Sequence, residues 1–398
     1  MSRKVQIIGY LLNGATFLAT FLSVAALAMI FYFVFSNGIE RLSFDLLRSD
    51  YHAKHYVATI DNETRSFEDP NLTGDYVFST RYGIALYDDV NLAGNPSITV
   101  LYIDDASPFK RLELQTTTQT TFALEEGMII SRITYESHPT SLTNRGAMSM
   151  VNDLDNHDYT VREIMFSTVG GGIRGSLIAT LYLIVLTLLI AMPLGILSAI
   201  YLSEFAPDNK ITKLIRSFIE TLTGVPSIIF GLLGITVFVP ITSSLTSASG
   251  SNLIAGALTL SIILLPVIIR TTEESLITVP KDHRFASLAL GANHTQTTFK
   301  VVLPQALPGL LTATFLAIGR IIGESAALIF VLGTVVRDQV SIFQPATSLA
   351  VHIWSMMTDE PANIALSSTV AIIILMIVLG LNLSIKTTVF LWRRKRSA

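Results

Sequence analysis

The sequence contains no cysteine, which excludes disulfides, thiol nucleophiles and thiolate metal sites. Charge is also scarce. Only 14% of the 398 residues are Asp, Glu, Lys or Arg, against about one quarter in an ordinary soluble domain. With half of the residues hydrophobic, a simple soluble globule is excluded. No glycine-rich loop ending in Gly-Lys-Ser or Gly-Lys-Thr occurs, so the chain has no Walker-type cradle in which to hydrolyse ATP.

What charge there is lies in one block. Residues 38–165 hold 20 acidic and 10 basic residues, a net −10, while the remainder holds 17 basic against 10 acidic, a net +7. Outside the block, long stretches carry no charge. A bilayer core of about 30 Å takes roughly 20 apolar helical residues to cross, and five stretches qualify: Val5 to Asn37, Gly175 to Ser203, Thr221 to Ile269 and Ile364 to Ile385, all without charge, and Val301 to Val336, apolar apart from Arg320 and Glu324. The third is too long for one helix and is split by the polar run from Thr242 to Asn252, so six spans are predicted. The first reads as an uncleaved anchor, because its apolar run exceeds the roughly 7–15 residues of a signal-peptide core.

Basic residues orient these spans. With the N-terminus inside, six crossings place Lys210, Lys213, Arg216, Lys281, Arg284, Lys300 and the tail Arg393-Arg394-Lys395-Arg396 on the cytoplasmic face. The outside loops carry no charge near 242–252, and Arg337 against Asp338, Asp359 and Glu360 in the other. The reading is an all-α, multi-pass membrane protein with both termini cytoplasmic. Residues 1–37 form the anchor, 38–165 an extracytoplasmic insertion between helices 1 and 2, and 166–398 the membrane core. Strand-like runs at Tyr76-Val77-Phe78, Ser97 to Ile103 and Met128 to Tyr135, separated by Asn, Asp, Gly and Pro, make the insertion β-rich.

Function rests on what is polar at depth. A fifth helix starting near Pro308 places Arg320 about 18 Å in, near the midplane. Glu324 follows at i+4 on the same helical face, where the two side chains can pair. A charge at the bilayer centre costs at least about 2.5–3.5 kcal/mol, so the pair faces a bundle interior or a watery path. It reads either as a structural ion pair fixing register or as an anion path, with the guanidinium fork receiving an oxyanion. Arg270, where the fourth span ends, reads either as a positive-inside flank or as a lower ring of that path.

The loop from 271 to 304 is the other informative segment. Pro280 to Gly291 predicts a short helix with Pro and Asp at its start and a Gly stop. A second short segment, Thr295 to Leu303, is closed by Pro304. Two partly apolar helices at a cytoplasmic face suit a docking element, the alternative being a plain surface loop.

These residues resemble a known family. Phe285-Ala286-Ser287, then Gly291, then Val301-Val302-Leu303-Pro304 match the spacing of the coupling loop of ABC importer permeases, whose pattern is Glu-Ala-Ala, three residues, Gly, nine residues, Ile, any residue, Leu-Pro. Gly171-Gly172-Ile173, Pro193-Leu194-Gly195, Tyr201-Leu202-Ser203-Glu204, Pro226 to Leu232, Arg270-Thr271-Thr272-Glu273 and Gly323 to Leu328 occur in order over the same region. Together they resemble the A-type permeases of bacterial phosphate-specific ABC transporters. Phe285 stands where the family has Glu, Ser287 where it has Ala, and Ser325 and Ala327 where it has Thr and Pro.

The resemblance implies a permease subunit, not an enzyme, working with a second homologous permease subunit, a pair of cytoplasmic ATPase subunits and an external phosphate-binding protein. It implies that Arg270 and Arg320 help inorganic phosphate cross; Glu324 joins them as a substrate-path candidate through its i+4 spacing from Arg320. It further implies that Arg284, Phe285, Ala286, Ser287, Gly291 and Pro304 belong to the loop that meets the ATPase. No cofactor is expected in this chain, ATP and magnesium belonging to the partner. Membrane lipid is an expected contact; nucleic acid is not. Two other readings stay open: a permease for molybdate or sulfate, and a membrane sensor whose ligand binds the 38–165 insertion.

Overall fold

The computed structural model describes residues 3–62, 65–90, 95–115, 121–358 and 362–397. Asp359 and Glu360, counted above in the charge balance, lie outside the described residues. The chain divides into two compact units, one of residues 1–42 with 175–398 and one of residues 43–174.

Among its described residues the smaller unit carries the short helix α2 (Phe44–Arg48) and nine strands: β1 (His55–Thr59), β2 (Val77–Ser79), β3 (Ile84–Val90), β4 (Pro96–Ile103), β5 (Leu112–Leu114), β6 (Thr121–Phe122), β7 (Ile129–Tyr135), β8 (Ser141–Leu142) and β9 (Val161–Ser167). They form one sheet in the order β2-β3-β4-β7-β9-β1-β5-β6, with β8 paired to β7 and every pairing antiparallel. The three strand-like runs of the sequence fall on β2, β4 and β7. Helix α3 (Gly146–Asp155) covers one face, burying Ala147, Met150, Val151 and Leu154 with Ile84, Leu86, Ile98 and Phe109. Asp155 fastens the α3 end to the β2–β3 turn by accepting from Ser79 Oγ at 2.5 Å and from the Thr80 and Arg81 backbone N–H groups.

The larger unit is helical. It begins with α1 (Arg3–Gly38) and resumes with α4 (Arg174–Ile200), α5 (Lys210–Thr223), α6 (Ser227–Leu233), α7 (Val239–Leu245) and α8 (Leu253–Ile277). Then come α9 (Lys281–Ala289), α10 (His294–Thr297), α11 (Leu303–Gly323), α12 (Ala326–Leu332), α13 (Leu349–Thr358) and α14 (Ile364–Ser397). Wider π turns at Tyr201–Phe205, Gly234–Phe238 and Thr298–Val302 extend or join helices. Among the described residues, six helical stretches are long and apolar enough to cross a membrane: Leu12–Arg41, Arg174–Phe205, Ser227–Leu245, Leu253–Ile277, His294–Gly323 and Ile364–Thr388. These are the six predicted spans, and the β-rich region falls in sequence between the first two.

Helix α8 is the hub of this unit. Its Leu260, Ile263, Leu264 and Ile268 are buried with Ala179, Leu183 and Ala191 of α4, Ala317 and Ile321 of α11, and Leu328 and Leu332 of α12. The polar run that splits spans three and four supplies the start of α8. Asn252, fully buried, accepts from Ala255 N–H at 2.9 Å and donates to Thr242 Oγ1 at 2.8 Å, capping one helix while tying it to the end of the previous one.

Two local expectations fail. The apolar run Val301 to Val336 is not one helix: α11 stops at Gly323, and the following apolar residues form α12, whose Ala327, Leu328, Val331 and Leu332 are buried. Packing of α12 against α6 and α8 replaces continuation of the span. Nor does Pro304 close the loop. It lies in the first turn of α11, within the stretch His294–Gly323. A proline inside a helix removes one backbone bond and crowds the preceding turn, and the π turn Thr298–Val302 immediately before it provides the wider winding that admits the ring.

Candidate functional site

Arg320 occupies the last turn of α11 and is exposed. The helix dipole favours a cation there. Because α11 ends at Gly323, Glu324 leaves the helical face that the i+4 spacing implied. Its backbone is extended, and its Oε1 instead accepts from the Ala327 N–H at 3.4 Å, capping the start of α12. Arg320 and Glu324 therefore form no ion pair, and Arg320 has no hydrogen-bond or charge partner among the described residues. The signal for this break was present in Gly323-Glu324-Ser325, a helix stop followed by residues able to accept from freed N–H groups.

Arg270 has a different environment. It lies on α8 and pairs with Glu274 through Nε at 3.3 Å and with Glu220 of α5 through Nη1 at 3.6 Å. Beside it, Arg216 of α5 meets Glu273 at 3.0 Å, a charge contact rather than a directed hydrogen bond. These five residues, with Pro266, line a cavity of about 350 Å³ whose charged groups sum to −1.

Helices α8 and α11 run antiparallel. Leu276 and Val279 pack with Val302, Ala306 and Leu310, while Leu260 to Ile268 pack with Ala317 and Ile321. Gly309 lies against Ser275, where any side chain would overlap the serine hydroxyl. Counting from that contact at 1.5 Å per residue, Arg320 sits about 9 Å further along the pair than Arg270. The two arginines thus occupy separate levels of the bundle.

The loop residues form a compact element. Arg284 of α9 donates through Nη2 to Glu204 Oε1 at 2.8 Å and to the Leu276 carbonyl at 2.9 Å, and through Nη1 to the Val279 carbonyl at 2.6 Å. It thereby satisfies carbonyls at the C-terminus of α8, which lack helical partners, and binds the π turn that ends span two. Ser287 Oγ lies 2.9 Å from Thr297 Oγ1, joining α9 to α10. Gly291 adopts φ +88°, the left-handed geometry that closes a helix, and Asn293 with Gln296 forms a capping box opening α10. Phe285, Leu288 and Leu290 are left 63%, 41% and 90% exposed, with Ala286 beside them. Glu204 is the residue of this element whose contact the sequence could not assign, since 80 positions separate it from Arg284.

Comparison with known proteins agrees with this architecture. Residues 191–394 match the family described as binding-protein-dependent transport system inner membrane component. The chain is 40% identical over 203 residues to the probable ABC transporter permease protein YqgI of Bacillus subtilis, covering 48% of this chain and 67% of that protein. It is 33% identical to the phosphate transport system permease protein PstC of Mesorhizobium japonicum, over 50% of this chain and 67% of that one. It is 35% identical to a phosphate transport system permease protein PstA homolog of Mycoplasma pneumoniae, over 52% of this chain but 33% of that longer protein. With a match over half its length and six spans in its helical unit, the chain belongs to the binding-protein-dependent transport system inner membrane component family.

Proposed function

We propose that this chain is a permease subunit of an ATP-driven phosphate importer, forming half of the phosphate route beside a second homologous permease subunit. The observation that carries this is Arg320: an exposed guanidinium with no partner among the described residues, in the last turn of an apolar helix long enough to span a membrane. An unpaired fork of donors at such a place suits a transient oxyanion. That phosphate transport permeases are among the relatives supports phosphate as the anion. Arg270, already held by two carboxylates, would serve as a secondary step at another level, and Glu324 would shape the path by capping α12.

In this reading the termini and the α9–α10 loop face the cytoplasm, and the loop's apolar surface docks a pair of ATPase subunits that hold ATP and magnesium. Movement of the loop reaches spans two and four through Arg284, rocking the bundle around the anion route. An external binding protein delivers phosphate, and residues 38–165 lie on its side of the membrane.

The test is radiolabelled phosphate uptake in cells lacking other phosphate importers, comparing the native chain with Arg320→Gln at equal membrane abundance. Abolished uptake with ATPase still bound supports the reading. Unchanged uptake removes Arg320 from the route, and a native chain that moves no phosphate overturns the substrate.

A further inference from the structure

Helix α5 has three distinct faces. At roughly 100° per residue, Thr212, Arg216 and Ile219 point toward protein. Ile219 packs on Ala199, Leu202 and Ile269, Arg216 donates to the Leu202 carbonyl at 2.6 Å and meets Glu273, and Thr212 Oγ1 donates to the Pro207 carbonyl at 2.8 Å. To one side, Ile211, Leu214, Ile215, Phe218 and Leu222 form an apolar stripe about 100° wide. Each of these is between 40% and 68% exposed. On the opposite side stand Lys210, Lys213, Ser217 and Glu220.

That arrangement is what the membrane boundary demands of a helix held beside a bundle. One flank meets protein, apolar residues meet acyl chains and polar residues meet water. Connectivity agrees. The stretch that crosses as span two ends at Phe205, four residues before α5, and span three begins at Ser227, three residues after it. Four extended residues reach at most about 14 Å, so α5 stays at the level where the spans end. An apolar groove of about 400 Å³ between α4 and α5, lined by Leu197, Tyr201, Leu202, Ile215, Ile219 and Ile269, continues this surface. It opens beside Leu194, Leu197 and Tyr201, which are exposed on the outer side of span two.

We infer that α5 is an interfacial helix whose apolar stripe and adjoining α4–α5 groove are covered by phospholipid acyl chains, with Lys210 and Lys213 at headgroup level selecting anionic phospholipid. Charge complementarity supports the anionic preference: the headgroup-side residues at the helix start are Lys210 and Lys213 against the one acid Asp208, which pairs with Lys213 at 3.1 Å with both side chains exposed, leaving a net positive charge that an anionic surface attracts. The inference rests on the spans and not on the transported solute.

The absence of native cysteine makes the test direct. Single Phe218→Cys, Leu222→Cys and Ser217→Cys variants of the full chain carry a bimane label in nanodiscs of phosphatidylcholine and phosphatidylglycerol, with a nitroxide on one lipid at a time. Quenching several-fold stronger at 218 and 222 than at 217 is expected. The double variant Lys210→Gln/Lys213→Gln should lose quenching by nitroxide-phosphatidylglycerol while keeping that by nitroxide-phosphatidylcholine. Equal quenching at the three positions overturns the interfacial placement. Quenching at 218 that vanishes once the second permease subunit is assembled makes this face a subunit interface instead. An unchanged lipid preference in the double variant overturns the anionic selection.

Discussion

Arg284 reaches across 80 residues of sequence to Glu204, and the two side chains meet at 2.8 Å with only 20% and 7% of their surfaces exposed. The same guanidinium holds two carbonyls at the end of α8. One side chain therefore joins the loop helix to the ends of two membrane spans. Removing it by Arg284→Gln strands a nearly buried carboxylate and releases the carbonyls, at a cost of about 2–4 kcal/mol. Glu204→Gln, which leaves the carbonyl bonds in place, should cost about 1 kcal/mol. In thermal unfolding of the purified protein the double variant should lose less than the two singles summed, a coupling of about 1–3 kcal/mol. Additivity within about 0.5 kcal/mol would show that the contact carries no stability of its own.

The apolar surface of that loop is the second target. Leu290 is 90% exposed and Phe285 63%, so neither holds the fold, and their substitution should leave the melting temperature unchanged. In the proposed complex they fill a pocket on the ATPase. Leu290→Asp places a charge there and should weaken association by at least about 2 kcal/mol, close to thirtyfold in Kd. Titration of the assembled permease pair with its ATPase in detergent measures this. Native affinity in both Leu290→Asp and Phe285→Ala would move the docking surface elsewhere.

How much of this was legible follows from what each signal depends on. Five of the six predicted spans are stretches without charge and the fifth in order is apolar apart from Arg320 and Glu324, a local property that the sequence displays directly. The α9 helix was also local: Pro280 opens it and Gly291 closes it. The break after Gly323 was marked locally by Gly323-Glu324-Ser325 but overridden by the hydrophobic run that continues through α12, and packing against α6 and α8 shows why those residues are apolar. The Arg320–Glu324 pair fell with it, since i+4 spacing implies contact only in an unbroken helix. The Arg284–Glu204 bond depends on where two spans end in space, which no spacing rule reaches.

Arg270 offers a test that separates the two arginines. Its ion pairs with Glu220 and Glu274 are more than half exposed, and such pairs contribute about 0–1 kcal/mol. Arg270→Gln should therefore fold normally. It leaves an uncompensated −2 among the remaining charges of that cavity, which disfavours an arriving anion without removing the donor fork at Arg320. Uptake at equal abundance should fall, but by less than in Arg320→Gln, and raising the ionic strength should narrow the deficit. Loss as complete as that of Arg320→Gln would place Arg270 on the obligatory route.

The α6–α12 contact fixes the helix that Glu324 caps, and Gly231 shows how closely it is fitted. A Cβ at this position would stand 2.8 Å from the Ala327 carbonyl oxygen and 2.9 Å from its Cα, both backbone atoms with no rotamer to yield. Gly231→Ala must then push α12 away, at a cost of about 1–3 kcal/mol. Gly319, one residue before Arg320, has nothing within 4 Å of the added methyl, and alanine there should hold or raise stability by up to about 1 kcal/mol. The two variants differ by the same methyl group, so a lower melting temperature in the first and none in the second isolates close packing from helix propensity. Because α12 begins at the Glu324 cap, the displaced helix should also lower phosphate uptake in Gly231→Ala at matched abundance. A stable, fully active Gly231→Ala would mean that α12 can shift without consequence and that the site near Arg320 does not depend on it.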